Sequence, residues 1–245
     1  MKIKLFVTVS ILVLLSASAW PDTELPTARI LTFVYPPYGR GDRTGLAERL
    51  IIAAFQERGY AVEFEYHPYK RAIYMYNGSS DYLFTDVMQK EDNPSHVEFT
   101  GIFSIRGVLV YSKKRYPLLQ FNSLEDLKGM LVGVMLGTDV IPRFEAAGLI
   151  LDKIPNDEAN PIKLGLGRID FWASIDLTAL EYLEKIYPER QSEFGQIEHS
   201  RSIVGLKMKK GSSQEPVFRN FQQGFAMIKK NRTYLKILEE FYGMG

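Results

Sequence analysis

The feature that most limits the fold of this chain is a recurring order of short apolar runs and helix-like patterns. Ala28 to Val34 (ARILTFV) is an apolar run ended by Tyr35-Pro36-Pro37-Tyr38-Gly39, which reads as a buried strand entering a rigid loop. From about Gly45, Leu46, Leu50, Ile51, Ala54 and Phe55 recur at helical spacing, and Gly59 suits the stop. Val62, Phe64 and Tyr66 then alternate with Glu63 and Glu65, a strand signature. Pro68 opens a helix over Tyr69 to Asn77 that Gly78 stops, and Asp81 to Thr85 is a third short strand. Strand, helix, strand, helix, strand predicts a parallel sheet covered by helices, the α/β class.

The segment Asp86 to Ser95 is polar and ends this pattern, and Gly107 to Ser112 (GVLVYS) is strand-like. A second unit then starts. Ser123-Leu124-Glu125-Asp126 fits a capping box, and Leu127-Lys128-Gly129 completes a short helix. Leu131 to Leu136 is a buried strand ended by Gly137-Thr138, with a helix following over Val140 to Ala147. Asn160 to Gly167 reads as helix, Ile169 to Ile175 as strand, and Leu177 to Tyr187 as a helix stopped by Pro188. Ser202 to Met208 is a further strand. Glu215 to Tyr242 is a helical pattern interrupted around Gly224. The two units share their order of elements and no sequence repeat.

The first 19 residues stand apart. Lys2 and Lys4 precede an apolar run from Leu5 to Leu15, and Ala17-Ser18-Ala19 supplies small residues at a cleavage position. This is the three-part pattern of a secretory signal peptide, and the run is short of the roughly 20 residues a membrane-spanning helix needs. Cleavage near Ala19 leaves 28 basic against 29 acidic side chains, since the leader carries two lysines. That balance shows no basic field for nucleic acid. Cysteine is absent, which excludes disulfides, thiolate metal sites, a cysteine nucleophile and a lipidated cysteine. A cysteine-free exported chain suits the periplasm.

Four segments, in order, resemble the bacterial family 3 periplasmic solute-binding proteins, the class that includes amino-acid receptors of ABC transporters. They are Tyr35-Pro36-Pro37-Tyr38, then Gly45-Leu46-Ala47-Glu48-Arg49-Leu50. Ser123 to Gly129 with Val132-Gly133-Val134 and Gly137-Thr138 is the third, and Gly167-Arg168-Ile169-Asp170 with Asp176 is the fourth. The resemblance implies a two-lobe type II periplasmic-binding-protein fold, each lobe a mainly parallel sheet flanked by helices, joined by a two-strand hinge. Lobe one would comprise residues 20–110 and 201–245, and lobe two residues 111–200. A small polar, amino-acid-like ligand would be held in the cleft. An ABC permease or a membrane sensor would be the partner, and the chain would be monomeric. Enzymes of the dehydratase or lyase type built on this fold form a third class.

The resemblance also marks site residues, each with a simpler structural alternative. Tyr38 would stack on the ligand or pack its own loop. Thr85 and Asp86, ending the third strand, would contact an ammonium or form a turn. Thr138, before a helix, would help hold an anion at free backbone N–H groups or cap the helix. Asp176 would bind an α-ammonium or cap the helix that starts at Leu177. The family's amino-acid receptors carry a carboxylate-binding arginine after the third strand, whereas this chain reads Gln89-Lys90-Glu91-Asp92-Asn93-Pro94. Arg71 or Arg106 could replace it, or either could form an ordinary salt bridge. His67, His96 and His199 lack metal-site spacing. Neither a metal nor a cofactor is expected, and no nucleotide or hydrolase motif is present.

Overall fold

The run beginning at Thr27 forms strand β1 (Thr27–Thr32), the centre of the first parallel ladder. The computed structural model describes residues 25–88 and 95–243, so the leader Met1–Ala19 and the stretch Gln89–Pro94 lie outside the described residues. β1 pairs in parallel with β2 (Ala61–Tyr66) on one side and β3 (Leu83–Met88) on the other. Helices α1 (Leu46–Gln56) and α2 (Tyr69–Gly78) fill the two connections. The side chains of α1 read at helical spacing are the ones it buries, Leu46, Leu50, Ile51, Ala54 and Phe55.

Two strands are much longer than their sequence signals. β4 (Val97–Ser112) and β8 (Phe194–Lys209) have 16 residues each and pair antiparallel along nearly their whole length. Only Gly107 to Ser112 and Ser202 to Met208 read as strand. The remainder carries Glu98, Gly101, Ser104 and Arg106 on one strand and Glu198, Ser200 and Arg201 on the other. Register shifts at Gly101/Phe103 and Gly107/Val108 break any single alternation. Near its start in sequence β4 pairs, among the described residues, only with β8. From Gly107 to Tyr111 it also pairs with β7 (Phe171–Ile175), while β8 pairs with β3 through residues 203–207. The two long strands therefore cross from one parallel set to the other.

The second set is β7, β5 (Leu131–Met135) and β6 (Ile150–Ile154), parallel to one another. The whole sheet runs β2-β1-β3-β8-β4-β7-β5-β6. β6 gives no clear sequence signal because it is an edge strand, partly exposed and carrying Asp152 and Lys153 in ion pairs with Lys163 and Glu145. Helices α3 (Val140–Ala146), α4 (Asn160–Gly165) and α5 (Asp176–Ile186) flank this set.

The chain ends in α6 (Glu215–Lys230) and α7 (Thr233–Tyr242). The expected interruption at Gly224 is a correction: α6 runs straight through it. A Cβ at Gly224 would lie 1.9 Å from the Ala54 carbonyl oxygen of α1, so the glycine serves helix–helix approach and not a break. The break falls at Asn231 and Arg232, where Arg232 takes φ 68°. One apolar core joins β1, α1, β3 and α6 through Ile30, Leu50, Phe55, Phe84, Phe218 and Phe221. Two further cores cover opposite faces of the second set, one around Trp172 and Leu183, the other around Phe171, Val134 and Phe144.

Several quoted motif residues fasten this frame. Glu48 is buried and accepts from the backbone N–H of Gly41 and Gly45 and from the Tyr66 hydroxyl, at 3.0, 2.8 and 2.6 Å. Asp170 accepts from the Leu131 N–H at 2.8 Å, from the Tyr116 hydroxyl and from Arg115. Asp126 accepts from the N–H groups of Asn122 and Ser123, the capping box read in the sequence. Among the described residues no helix is long and apolar enough to cross a membrane.

Candidate functional site

A cavity of about 100 Å³ lies where β4 and β8 pass between the two parallel sets. Its walls follow from the topology, because parallel strands bring their C-terminal ends and the loops after them to one edge. From the first set come Phe33 and Tyr35 beyond β1, Tyr69 at the start of α2 and Val87 of β3. From the second come Val134 and Met135 of β5, Thr138 and Asp139 after it, and Ser174 of β7 with Thr178 and Tyr182 of α5. Ile105, Gly107, His199, Ser200 and Ser202 of the crossing strands also line it.

One wall is aromatic. The rings of Phe33 and Tyr35 stack at 4.4 Å between centroids, and Tyr69 meets Phe33 edge-on at 4.7 Å. Asp157 lines the same cavity, and its carboxylate accepts from Trp172 Nε1 at 3.1 Å, Asn160 Nδ2 at 3.1 Å and the Ser174 hydroxyl at 3.3 Å. All three donors are neutral, and burial pushes this carboxyl up to about 6. His199 is held down to about 4 by burial and by the Arg143 guanidinium 2.7 Å from its Nδ1, so it is neutral at pH 7. The hydroxyls of Tyr35 and Thr178, residues 4% and 3% exposed, have no hydrogen-bond partner. No lysine or arginine lines the cavity among the described residues.

Of the residues marked by sequence, Thr138 lines this cavity. Its hydroxyl turns back to the Met135 carbonyl at 2.9 Å, and Asp139 holds the N-cap position of α3, placing a carboxylate where an anion was expected. Tyr38, Arg106 and Asp176 come together beside it. The Tyr38 hydroxyl donates to Asp176 Oδ1 at 2.8 Å, Arg106 Nε donates to Oδ2 at 3.0 Å, and the Leu177 N–H donates to Oδ1 at 2.8 Å. Burial and the Asp176 charge hold the Tyr38 phenol well above its usual range, so it stays a donor. Tyr38 is 1% exposed and its ring stacks on Phe103 at 5.4 Å. Asp176 is the first residue of α5, and the preceding Ile175 is the N-cap.

The others lie apart. Asp86 accepts from the Tyr69 hydroxyl at 2.9 Å, from the Val87 N–H and from Lys207. Thr85 is buried with its hydroxyl unpartnered, outside the cavity lining. Arg71 is exposed and does not line the cavity. The stretch Gln89–Pro94, where the family's arginine is replaced, lies outside the described residues. Sequence reading passed over Asp157, Thr178, Tyr69 and Tyr182. Asp157 sits in Asn156-Asp157-Glu158, indistinguishable in sequence from a helix-start cluster, and the others occupy ordinary helix positions. Among the described residues no group of three or more histidines, cysteines or carboxylates is placed to hold a metal.

The fold is that of the type II periplasmic binding proteins. An ancestral arginine-binding protein bound to glutamine is similar over 90% of this chain and 99% of its own, at 25% identity and TM-score 0.73. The substrate-binding protein of an amino acid ABC transporter is similar over 89% of this chain and 99% of its own, at 16% identity and TM-score 0.72. A histidine kinase sensor domain with similarity to periplasmic binding proteins matches over 87% and 95%, at 16% identity and TM-score 0.72. No protein-family model and no curated protein matches the sequence.

Proposed function

We propose that the chain is an exported, periplasmic solute-binding protein that captures a small polar ligand between its lobes for an ABC permease. One observation carries the reading. The cavity takes its walls from both parallel sets and is crossed by the two strands that join them, the placement a clamp requires. The similarity to amino-acid-binding proteins of the same fold supports it. We assign residues 20–110 with 201–245 to one lobe and 111–200 to the other, a division supported by the exchange of strand partners along β4 and β8. The leader Met1–Ala19 directs export, and the mature chain is a monomer.

In this reading the ligand enters an open cleft and the lobes close on it as a hinge motion. Closure is driven only by the ligand's preference for the closed form. Asp176 links the lobes through Tyr38, and Arg40 makes a paired contact to Glu181 at 2.7 and 2.8 Å. Thr138 contributes from the second lobe's cavity edge. Arg71, Thr85 and Asp86 contact ligand only if the open form rearranges them, which their substitution by alanine tests.

The test is X-ray scattering together with a thermal-shift screen of residues 20–245 against amino acids, amines, organic acids and small peptides. A ligand specific to the folded state raises the melting temperature with concentration and should contract the radius of gyration. If no ligand contracts the protein, the clamp is wrong. If a ligand binds and is chemically consumed, the protein is an enzyme on this fold. Similarity to a kinase sensor domain favours a second reading, a sensing receptor. Deleting the chain should abolish uptake of the ligand if it serves transport, and abolish a response with uptake intact if it serves sensing.

A further inference from the structure

The polar groups facing the cavity are selective about charge. Asp157 presents a carboxylate against three neutral donors. Asp157 is half-buried, and a carboxylate drawn out of water without a cationic partner is costly. It is relieved by taking up a proton or by a cation. No lysine or arginine lines the cavity among the described residues, and Arg143 lies behind the lining residue His199, 2.7 Å from its Nδ1. Thr178 adds a second, independent sign of a missing partner. It is 3% exposed, lines the same cavity two residues into α5, and its hydroxyl has no hydrogen-bond partner. Buried hydroxyls are rarely left in this state. Ser174, beside it on β7, already donates to Asp157.

The rest of the lining limits size and shape. Phe33, Tyr35 and Tyr69 form an aromatic cluster in the same lining, suited to a short carbon chain and to a cation near a ring face. A dry cavity of about 150 Å³ holds benzene, and this one encloses about 100 Å³. A carboxylate on the ligand would meet Asp157 with no described guanidinium or ammonium lining the space to offset it.

We propose that the cavity takes a short organic cation lacking a carboxylate, its ammonium set against Asp157 and the Thr178 hydroxyl and its carbon chain against Phe33, Tyr35 and Tyr69. This rests on the solute-binding reading and narrows it from amino-acid-like ligands to amines. Asp157 is a ligand-binding residue in this assignment, and Asp176 serves the contact between lobes.

Calorimetric titration of residues 20–245 with L-alaninamide, L-alanine, n-butylamine and butyrate separates charge from size. The two cations should bind at least about tenfold tighter than L-alanine, the range for a charge-assisted contact, and butyrate should not bind. Asp157→Asn should weaken the cations about tenfold or more, and Thr178→Val, which keeps the shape, should weaken them by a smaller factor. Circular dichroism confirms that each variant is folded, and Thr178→Val carries the test if Asp157→Asn is not. L-alanine binding as tightly as L-alaninamide overturns the cation assignment and leaves the solute-binding function standing. Cation affinity unchanged in both folded variants overturns the site. If none of the four probes binds, the assignment falls, and the scattering screen above decides whether the solute-binding function falls with it.

Discussion

Asp176 receives hydrogen bonds from three parts of the chain: the loop after β1, the strand β4 and its own helix. The contact from Tyr38 is the one most sensitive to substitution. Both residues are buried, at 1% and 7% exposure, and a hydrogen bond to a charged group in such a place contributes about 1.5–3 kcal/mol. Arg106, with half its side chain in solvent, contributes less because water screens it. Tyr38→Phe keeps the ring on Phe103 and removes only the donor. It should lower stability by about 2 kcal/mol in urea unfolding, and an unchanged midpoint would show that the link between the lobes contributes nothing. The sequence marked Tyr38 and Asp176 separately, each for contact with a ligand. That they bond to one another was not legible, because 138 residues separate them and no local pattern encodes so distant a pairing.

At the scale of elements, α1 and α6 pack without a side chain at Gly224. A methyl group there would press on the Ala54 carbonyl at 1.9 Å, and backbone cannot yield as a flexible side chain can. Gly224→Ala gains about 1 kcal/mol in helix propensity against an overpacking cost of about 1–3 kcal/mol. The variant should therefore be destabilised on balance, by up to about 2 kcal/mol in the same urea assay. A stabilised variant would mean that the two helices separate without cost. From sequence a glycine in a helical pattern reads as a break, since local propensity registers its flexibility and not the neighbour it admits. The elements that alternate cleanly, such as β2, or bury a regular stripe, such as α1, were legible in position and type. β4 and β8 were legible only in part, since a strand that crosses between two environments changes which face is buried along its length.

At the scale of the whole molecule, two groups at the cavity oppose each other in pH. Burial raises Asp157 to about 6, so between its unfolded value near 4 and 6 the folded protein holds a proton that the unfolded chain has lost. That contribution makes stability fall as pH rises through this window. His199 is lowered to about 4 by burial and by Arg143, so up to its unfolded value near 6.5 the unfolded chain holds the extra proton. Its contribution makes stability rise with pH. Each has a slope approaching about 1.4 kcal/mol per pH unit, with opposite sign, and the two largely offset between pH 4 and 6. Relative to the native chain, Asp157→Asn should therefore gain stability as pH rises from 4 to 6, and His199→Asn should lose it. Urea midpoints at three pH values read both, and a difference independent of pH in either variant would refute the assignment for that group.

The amino-acid sequence by itself determined the α/β class, the order of two alternating units and the capping box of Ser123 to Asp126. Each of these depends on neighbours within a turn, a strand or a connection, where spacing alone sets which side chains meet. The tertiary structure alone decided that Tyr38 closes on Asp176, that Lys207 and Tyr69 occupy Asp86, and that Asp157, Thr178 and an aromatic cluster line one cavity. Those contacts arise where the two parallel sets meet across the crossing strands. The chain brings residues from Phe33 to Ser202 into one small volume there, and that proximity comes from topology, which local pattern does not carry.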